Sequence, residues 1–125
     1  MMNRRRLLLA GGLAPLAGVV LPLSAVPDPV FAGGLMGQGL AIEPLSSTLL
    51  APCDGEISQV STTGHAVTVR AANGAEILLH IGIDTVKLGG HGFATRVQKG
   101  DRVQRGQPLV DIDIDSVARR APSLI

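Results

Sequence analysis

The sequence contains no tryptophan and no tyrosine, and its only phenylalanines are Phe31 and Phe93. Because 46% of the residues are nevertheless hydrophobic, the core must be built from valine, isoleucine, leucine and alanine. β-branched side chains are enriched in strands, so this supply favours many short, closely packed strands. A core that rests on large aromatic side chains is excluded.

The chain also lacks an excess of either charge, since its formal net charge is +1. Its basic residues are divided between Arg4–Arg6 and a scattered second half, and they form no stripe that could follow a nucleic-acid backbone. We therefore expect no nucleic-acid partner. The single cysteine, Cys53, cannot form an internal disulfide and has no neighbouring metal ligands in the sequence.

Glycine and proline, in contrast, are plentiful, with 16 glycines and 8 prolines in 125 residues. Frequent turns of this kind suit an all-β sandwich or barrel better than a helical bundle. A chain of this length supports one domain with one core.

The N-terminus supports two interpretations. Arg4–Arg6, the apolar run Leu7–Ala10 and the small residues near Leu23–Ala25 are typical of a twin-arginine export signal. Pro15 and Pro22, however, interrupt the apolar stretch, which weakens the comparison with a signal peptide. An exported protein is therefore the alternative to a cytoplasmic one.

An approximate internal repeat favours the cytoplasmic interpretation. Residues Leu13–Val20 parallel Leu49–Ile57 in the form Leu-Ala-Pro-x-x-Gly, followed by a valine or isoleucine. Such a repeat predicts two related strand-turn-strand units, each entered through its proline and turned near its glycine. A cleaved signal would discard the first unit.

Several further segments have a predictable local structure. Val26–Phe31 contains two prolines, which exclude a central strand and indicate a surface loop. Gly39–Pro44 and Ile57–Val60 are predicted strands, and Val97–Asp113 is predicted as another strand-turn-strand unit.

A β-hairpin is predicted around Asn73 and Gly74, because this dipeptide is the strongest short hairpin signal and separates two β-rich runs, Ala66–Arg70 and Glu76–Ile81. A two-residue loop there pairs Val67 with His80. The same register pairs His65 with Gly82.

This register makes His65 and His80 diagonal neighbours on one face of the sheet, roughly 7 to 8 Å apart between their Cα atoms. Val67, Val69 and Leu78 would form an apolar floor beneath them, and Gly82 would leave open space opposite His65. The third histidine, His91, lies in a glycine-rich turn and is interpreted as a surface residue.

Two imidazoles on an apolar surface suit phosphoryl transfer, because one neutral nitrogen can attack phosphorus while the other ring donates a hydrogen bond to the phosphoryl oxygens. A histidine with an ordinary pKa of about 6.5 is mostly neutral near pH 7. The same pair could bind a metal, but a tetrahedral zinc site would need further ligands. On this geometry alone, two purely structural histidines fit equally well.

The segment Leu79–Val86 resembles the active-site signature of the glucose-class enzyme IIA (EIIA) family of the bacterial phosphoenolpyruvate-dependent sugar phosphotransferase system. Other segments are similar to that family in the same order along the chain. These are Val26–Ala32, Met36–Ile42, Leu50–Pro52, Thr63–Ala66 and Gly92–Phe93.

This resemblance implies a phosphotransferase component in which His80 accepts a phosphoryl group from the phosphocarrier protein HPr and passes it to an EIIB domain. It implies that His65 is the second active-site histidine and that the Thr63 hydroxyl orients it. Asp84 and Gly82 are then supporting residues of the site. The implied fold is an antiparallel β-sandwich or barrel-sandwich hybrid with two related halves.

The resemblance also implies a partner surface that includes Phe31 and Val86. No cofactor is required, and zinc at His65 and His80 would need ligands from a partner. No direct membrane insertion is expected.

The domain would cover residues 13–125, after a basic and apolar extension of residues 1–12. Two departures accompany this match. His91 stands where the family usually has an acidic residue. Domains of the family continue with further strands beyond the position of Ile125, so C-terminal strands would be missing and a sheet edge left unpaired.

Two other functions deserve comparison. An exported zinc endopeptidase of the lysostaphin type has a related β-hybrid architecture, but its His-x-His pair and separate His-Asp ligands are not found in the sequence. A biotinyl or lipoyl carrier module is suggested by Lys99–Gln107, a strand-turn unit common in such domains. The modified lysine at an exposed hairpin tip is missing.

Overall fold

The computed structural model describes residues 14–125, and most of its regular structure is β-strand. The strands of this part of the chain are β1 (Gly18–Pro22), β2 (Leu40–Pro44), β3 (Thr48–Leu50), β4 (Gly55–Val60), β5 (Ala66–Ala71), β6 (Glu76–His80), β7 (Phe93–Thr95), β8 (Arg102–Val103) and β9 (Pro108–Ile112). The helices are α1 (Pro29–Ala32), α2 (Ile114–Arg120) and 3-10 turns at Leu23–Ala25 and Thr85–Leu88.

The strands form three antiparallel sheets. β1 pairs with β2, the order β3-β9-β7 forms a three-stranded sheet, and the order β6-β5-β4-β8 forms a four-stranded sheet. The prediction of a mostly β protein with antiparallel pairing is confirmed.

The main core is aliphatic, as the composition requires. Alternation along β5 and β6 turns Val67, Val69, Ile77 and Leu79 to one buried face, where none is more than 1% exposed. These side chains pack with residues of β4 and β9, such as Leu109, in one continuous cluster.

A second, smaller cluster joins the two-stranded sheet to the rest of the molecule. Val26, Phe31, Ala41 and Ile83 form it, with Ile125 packed against them. Because Ile83 follows β6 closely in the chain, this cluster supports the segment that comes directly after His80.

The two units of the internal repeat have matching features within the described residues, which exclude Leu13. Pro15 and Pro52 are both less than 2% exposed. Gly18 and Gly55 both begin a strand, and at each the backbone of the paired strand, at Glu43 and Arg70 respectively, occupies the space of a Cβ atom.

The Val26–Phe31 segment is not wholly a loop. Its last residues enter α1, where Pro29 occupies the first turn and the Asp28 carboxylate accepts a hydrogen bond of 2.8 Å from the Val30 backbone N–H. Helix α2, which the sequence pattern did not predict, begins where the Asp113 carboxylate accepts a hydrogen bond from the Ser116 N–H, and it buries Val117. Both helices are short and weakly periodic, so their sequence signal is small.

Candidate active site

The hairpin that carries the site has a register different from the predicted one. Ala66 pairs with His80 and Val67 with Leu79, so the expected pairing of Val67 with His80 is wrong by one residue. The loop contains Ala72 as well as Asn73 and Gly74, because the Ala71 N–H donates a hydrogen bond of 2.8 Å to the Ala75 carbonyl. Gly74 adopts the left-handed φ of +83° that closes such a loop.

This shift changes the surroundings of His80. Ala66, Thr68 and Leu78 share its face of the sheet, whereas Val67 and Val69 point to the opposite, fully buried face. The predicted floor is therefore wrong for these two valines and correct for Leu78.

The structure nevertheless brings the two histidine rings together. His65 precedes β5 and lies in a turn, and its carbonyl accepts a hydrogen bond of 2.9 Å from the Ile81 N–H. The His65 and His80 ring centroids are 5.0 Å apart, with an interplanar angle of 83°. An edge of one imidazole therefore faces the other ring.

Two hydroxyl groups contact one nitrogen of the His65 ring. Its Nδ1 atom lies 2.6 Å from the Thr63 hydroxyl and 3.3 Å from the Ser61 hydroxyl. Ser61 was missed by the sequence analysis, and its signal is the Ser-x-Thr-x-His pattern of residues 61–65. With Nδ1 engaged in this way, Nε2 remains available to a ligand.

His80 is partly buried between aromatic and polar neighbours. The Phe31 ring lies 4.9 Å from it, centroid to centroid, at an interplanar angle of 52°. The Gly82 backbone accepts a hydrogen bond from the His80 ring. This bond fixes one ring N–H and leaves the other ring nitrogen as a lone-pair donor.

Burial and, to a smaller extent, the nearby His65 together lower the pKa of His80 to about 4, against opposing contributions from the Gly82 hydrogen bond and Asp28. Burial also lowers the pKa of His65. The expectation of an ordinary histidine pKa is therefore wrong. Both rings are neutral near neutral pH, which is the nucleophilic form.

The segment after His80 is tightly constrained. Gly82 has a φ of +71°, and a Cβ atom there would lie 2.6 Å from the Thr85 methyl carbon and 2.8 Å from the Ser123 carbonyl oxygen. The expected open space at Gly82 is therefore absent, because Thr85 and the C-terminal segment fill it.

Three other predicted site residues differ in exposure. The Asp84 side chain is 48% exposed and lies 3.8 Å from the Lys87 ammonium. Val86 is 54% exposed and lies on the surface. Phe31, expected on the partner surface, is only 9% exposed and forms a wall of the site beside His80.

His91 is exposed, as expected. Within residues 14–125, no group of three or more histidine, cysteine, aspartate or glutamate side chains could hold a metal ion. In the same range no helix is long and apolar enough to cross a membrane.

Antiparallel sheets that present two neutral, edge-to-face imidazoles define a β-rich protein equipped to carry a group on histidine. Comparison with known proteins specifies this class. A family profile described as phosphoenolpyruvate-dependent sugar phosphotransferase system, EIIA 1, matches residues 12–125.

Individual relatives agree with the family profile. The chain is 47% identical over 113 residues to the PTS system glucose-specific EIIA component of Oceanobacillus iheyensis, covering 90% of this chain and 68% of that protein. It is 45% identical to a part of the PTS system mannose-specific EIIBCA component of Corynebacterium glutamicum, covering 90% of this chain and 16% of that protein. The fold matches glucose permease IIA from Mycoplasma capricolum with a TM-score of 0.88 at 42% identity, covering 90% of this chain and 73% of that one.

The chain therefore belongs to the EIIA type 1 family of the phosphoenolpyruvate-dependent sugar phosphotransferase system. It is a phosphocarrier of the glucose class, and it transfers a phosphoryl group through a histidine.

Proposed function

We propose that His80 is the histidine that accepts the phosphoryl group. The observation that carries this proposal is the edge-to-face packing of His80 against His65, with ring centroids 5.0 Å apart. His80 is also the ring whose one N–H is committed to a backbone carbonyl, at Gly82. Its other nitrogen keeps a free lone pair for the attack on phosphorus.

His65 serves as a hydrogen-bond donor to the phosphoryl group. Its Nδ1 faces the hydroxyls of Thr63 and Ser61, so the Nε2 side of the ring is left for the oxygens of a group bound to His80. A neutral donor close to developing negative charge stabilises the transition state of transfer. Thr63 acts by orienting this ring.

HPr is the proposed phosphoryl donor and an EIIB domain the proposed acceptor. The exposed side chain of Val86 and the partly exposed Asp84 lie a few residues after His80 and supply an apolar and an anionic contact. Phe31 contributes to the site mainly by packing against the His80 ring. The EIIBCA name of the Corynebacterium glutamicum relative supports the association with EIIB.

Glucose is the sugar that we propose for the system, because the relative from Oceanobacillus iheyensis is named glucose-specific. We place the phosphocarrier unit at residues 13–125 and an extension at residues 1–12, in agreement with a family match that begins at residue 12. The proposed location is the cytoplasm, with no nucleic-acid partner and no direct membrane insertion.

The proposed transfer requires no cofactor, because the neutral His80 ring supplies the nucleophilic nitrogen itself. Zinc at His65 and His80 would need ligands from a partner protein, since the described residues supply only this pair of imidazoles at the site.

The intact mass of the protein after incubation with phosphoenolpyruvate, enzyme I and HPr tests the proposal. We expect an acid-labile gain of one phosphoryl group that is lost in His80→Gln. His91→Gln is the matched control, because His91 is exposed and lies outside the ring pair. Full labelling of His80→Gln would remove His80 from its proposed role.

A further inference from the structure

Thr85 is the only polar side chain among residues 14–125 that is fully buried, at 0% exposure. Its hydroxyl donates a hydrogen bond to the Ile81 carbonyl. A buried hydroxyl is tolerated when it is hydrogen-bonded, and here the bond closes the turn that follows His80.

The Ile81 carbonyl belongs to the peptide group that joins Ile81 to Gly82. The Ile81 N–H, on the other side of the same residue, donates to the His65 carbonyl. Both backbone groups of Ile81 are therefore fixed. Its carbonyl is held by Thr85, and its N–H is held by the segment that carries His65.

The next peptide group carries the Gly82 carbonyl, which accepts the hydrogen bond from the His80 ring. Gly82 and Asp84 both have left-handed φ angles, of 71° and 54°, and at Asp84, which carries a Cβ atom, this conformation is strained. Such a conformation persists only where the surroundings over-determine it.

A second contact holds the turn from outside. The Ile83 N–H donates a hydrogen bond of 2.9 Å to the Ser123 carbonyl, and Ile83 is buried in the cluster with Phe31. Thr85 thus restrains the turn through Ile81, before Gly82, and Ser123 restrains it through Ile83, after Gly82; each also approaches the position of the missing Cβ atom.

We propose that Thr85 is a positioning residue for His80: by holding the Ile81–Gly82 peptide group, its hydroxyl keeps the Gly82 carbonyl directed at the His80 ring. The ring is then held in one tautomer and orientation, with the same nitrogen always presented to phosphorus. This inference rests on the proposed role of His80 as the phosphoryl acceptor.

The test compares Thr85→Val, which keeps the shape and removes the donor, with Thr85→Ser, which keeps the donor. Thr48→Val is the matched control, because the Thr48 hydroxyl bonds to Asp111 in the three-stranded sheet. The ¹⁵N resonances of labelled histidine report the tautomer of His80, and single-turnover uptake from phospho-HPr reports the rate.

We expect one His80 tautomer in the unsubstituted chain, Thr85→Ser and Thr48→Val, and a mixture in Thr85→Val. The maximal rate of uptake in Thr85→Val should fall about tenfold, with the half-saturating concentration of phospho-HPr unchanged, because a misplaced nucleophile slows the step after binding. A single tautomer and an unchanged rate in folded Thr85→Val would overturn the inference, even with lower stability.

If Thr85→Val does not fold, Thr85→Ser and Thr85→Cys form a second pair, since the serine hydroxyl is a strong donor and the cysteine thiol a weak one. A mixed tautomer and slower uptake are then expected for Thr85→Cys alone, and equal behaviour of the pair would overturn the inference. The tautomer measurement needs no phosphoryl transfer, so a failure of His80 as acceptor is recognised separately, by labelling of His80→Gln.

Discussion

The Thr63 hydroxyl lies 2.6 Å from Nδ1 of His65, while the Ser61 hydroxyl lies 3.3 Å from the same atom. The shorter of these contacts comes from a residue only two positions away, so the turn that carries His65 also carries the hydroxyl that we propose to orient it. The Ser61 hydroxyl accepts a further hydrogen bond of 3.1 Å from the Ala66 N–H, which connects this turn to the start of β5.

Replacement of Thr63 by valine should therefore free the His65 ring without unfolding the protein. We expect phosphoryl transfer to EIIB to slow by about tenfold, because an oriented hydrogen bond to the phosphoryl group is lost part of the time. Thr63→Ser should retain the normal rate. Equal rates for Thr63→Val and the unsubstituted chain, measured by rapid quench, would contradict the orienting role.

His65→Gln separates the two histidines. Glutamine keeps an N–H donor near the site, so His80 should still be phosphorylated, whereas onward transfer should slow by about 10²- to 10³-fold. The two half-reactions are measured separately, by labelling with phospho-HPr and by chase with an EIIB domain. Loss of uptake in His65→Gln, together with normal uptake in His80→Gln, would show that the roles are reversed.

The pH dependence of uptake should be flat where an ordinary histidine would titrate. Because the pKa of His80 is lowered to about 4, its ring stays neutral and nucleophilic from about pH 7.5 to about pH 5.5. The rate is measured with preformed phospho-HPr at saturating concentration. A loss of half the rate near about pH 6.5 would show a histidine with the ordinary value.

The same lowered pKa predicts that the folded protein loses stability in acid. Below about pH 6.5 the unfolded chain binds a proton at this position that the folded chain takes up only near its own, lower pKa. The free energy of unfolding should therefore fall between these two values. Circular dichroism in urea measures this free energy, and His80→Gln should reduce its slope against pH. An unchanged slope in folded His80→Gln would contradict the prediction.

Gly82→Ala should destabilise the protein by more than Gly74→Ala. Both glycines have a left-handed φ, but a Cβ atom at Gly82 would meet Thr85 and Ser123, whereas at Gly74 it would meet open space. We expect about 1 kcal/mol for Gly74→Ala and about 3 kcal/mol or more for Gly82→Ala. Equal losses of unfolding free energy in urea would show that the turn after His80 rearranges to accommodate a Cβ atom at little cost.

Much of this site could be predicted from the sequence, although the hairpin register could not. The Asn73-Gly74 signal indicated a two-residue loop, and only the observed hydrogen bond between Ala71 and Ala75 shows that Ala72 belongs to the loop as well. A shift of one residue turns a strand side chain to the other face. The predicted proximity of His65 to His80 holds despite this shift, because His65 lies in a turn outside β5, where strand alternation does not direct its ring.

Other features depend on contacts between distant parts of the chain. The space at Gly82 is filled by Ser123, and the low pKa of His80 follows from its burial and its distance from His65, neither of which is encoded in a local pattern. The helix α2 is a single short element whose only strong local signal is the Asp113 cap. Strand existence was predictable because β-branched runs and turn residues are local signals.

The contact between the Phe31 and His80 rings also makes the NMR chemical shifts of His80 a probe of this site. With two phenylalanines, three histidines and neither tryptophan nor tyrosine, its aromatic proton spectrum is nearly empty. The ring current of Phe31, at 4.9 Å, displaces the His80 resonances from those of an isolated imidazole. Any movement of the His80 ring during phosphoryl loading or partner docking will change that displacement, and so can be followed in unlabelled protein.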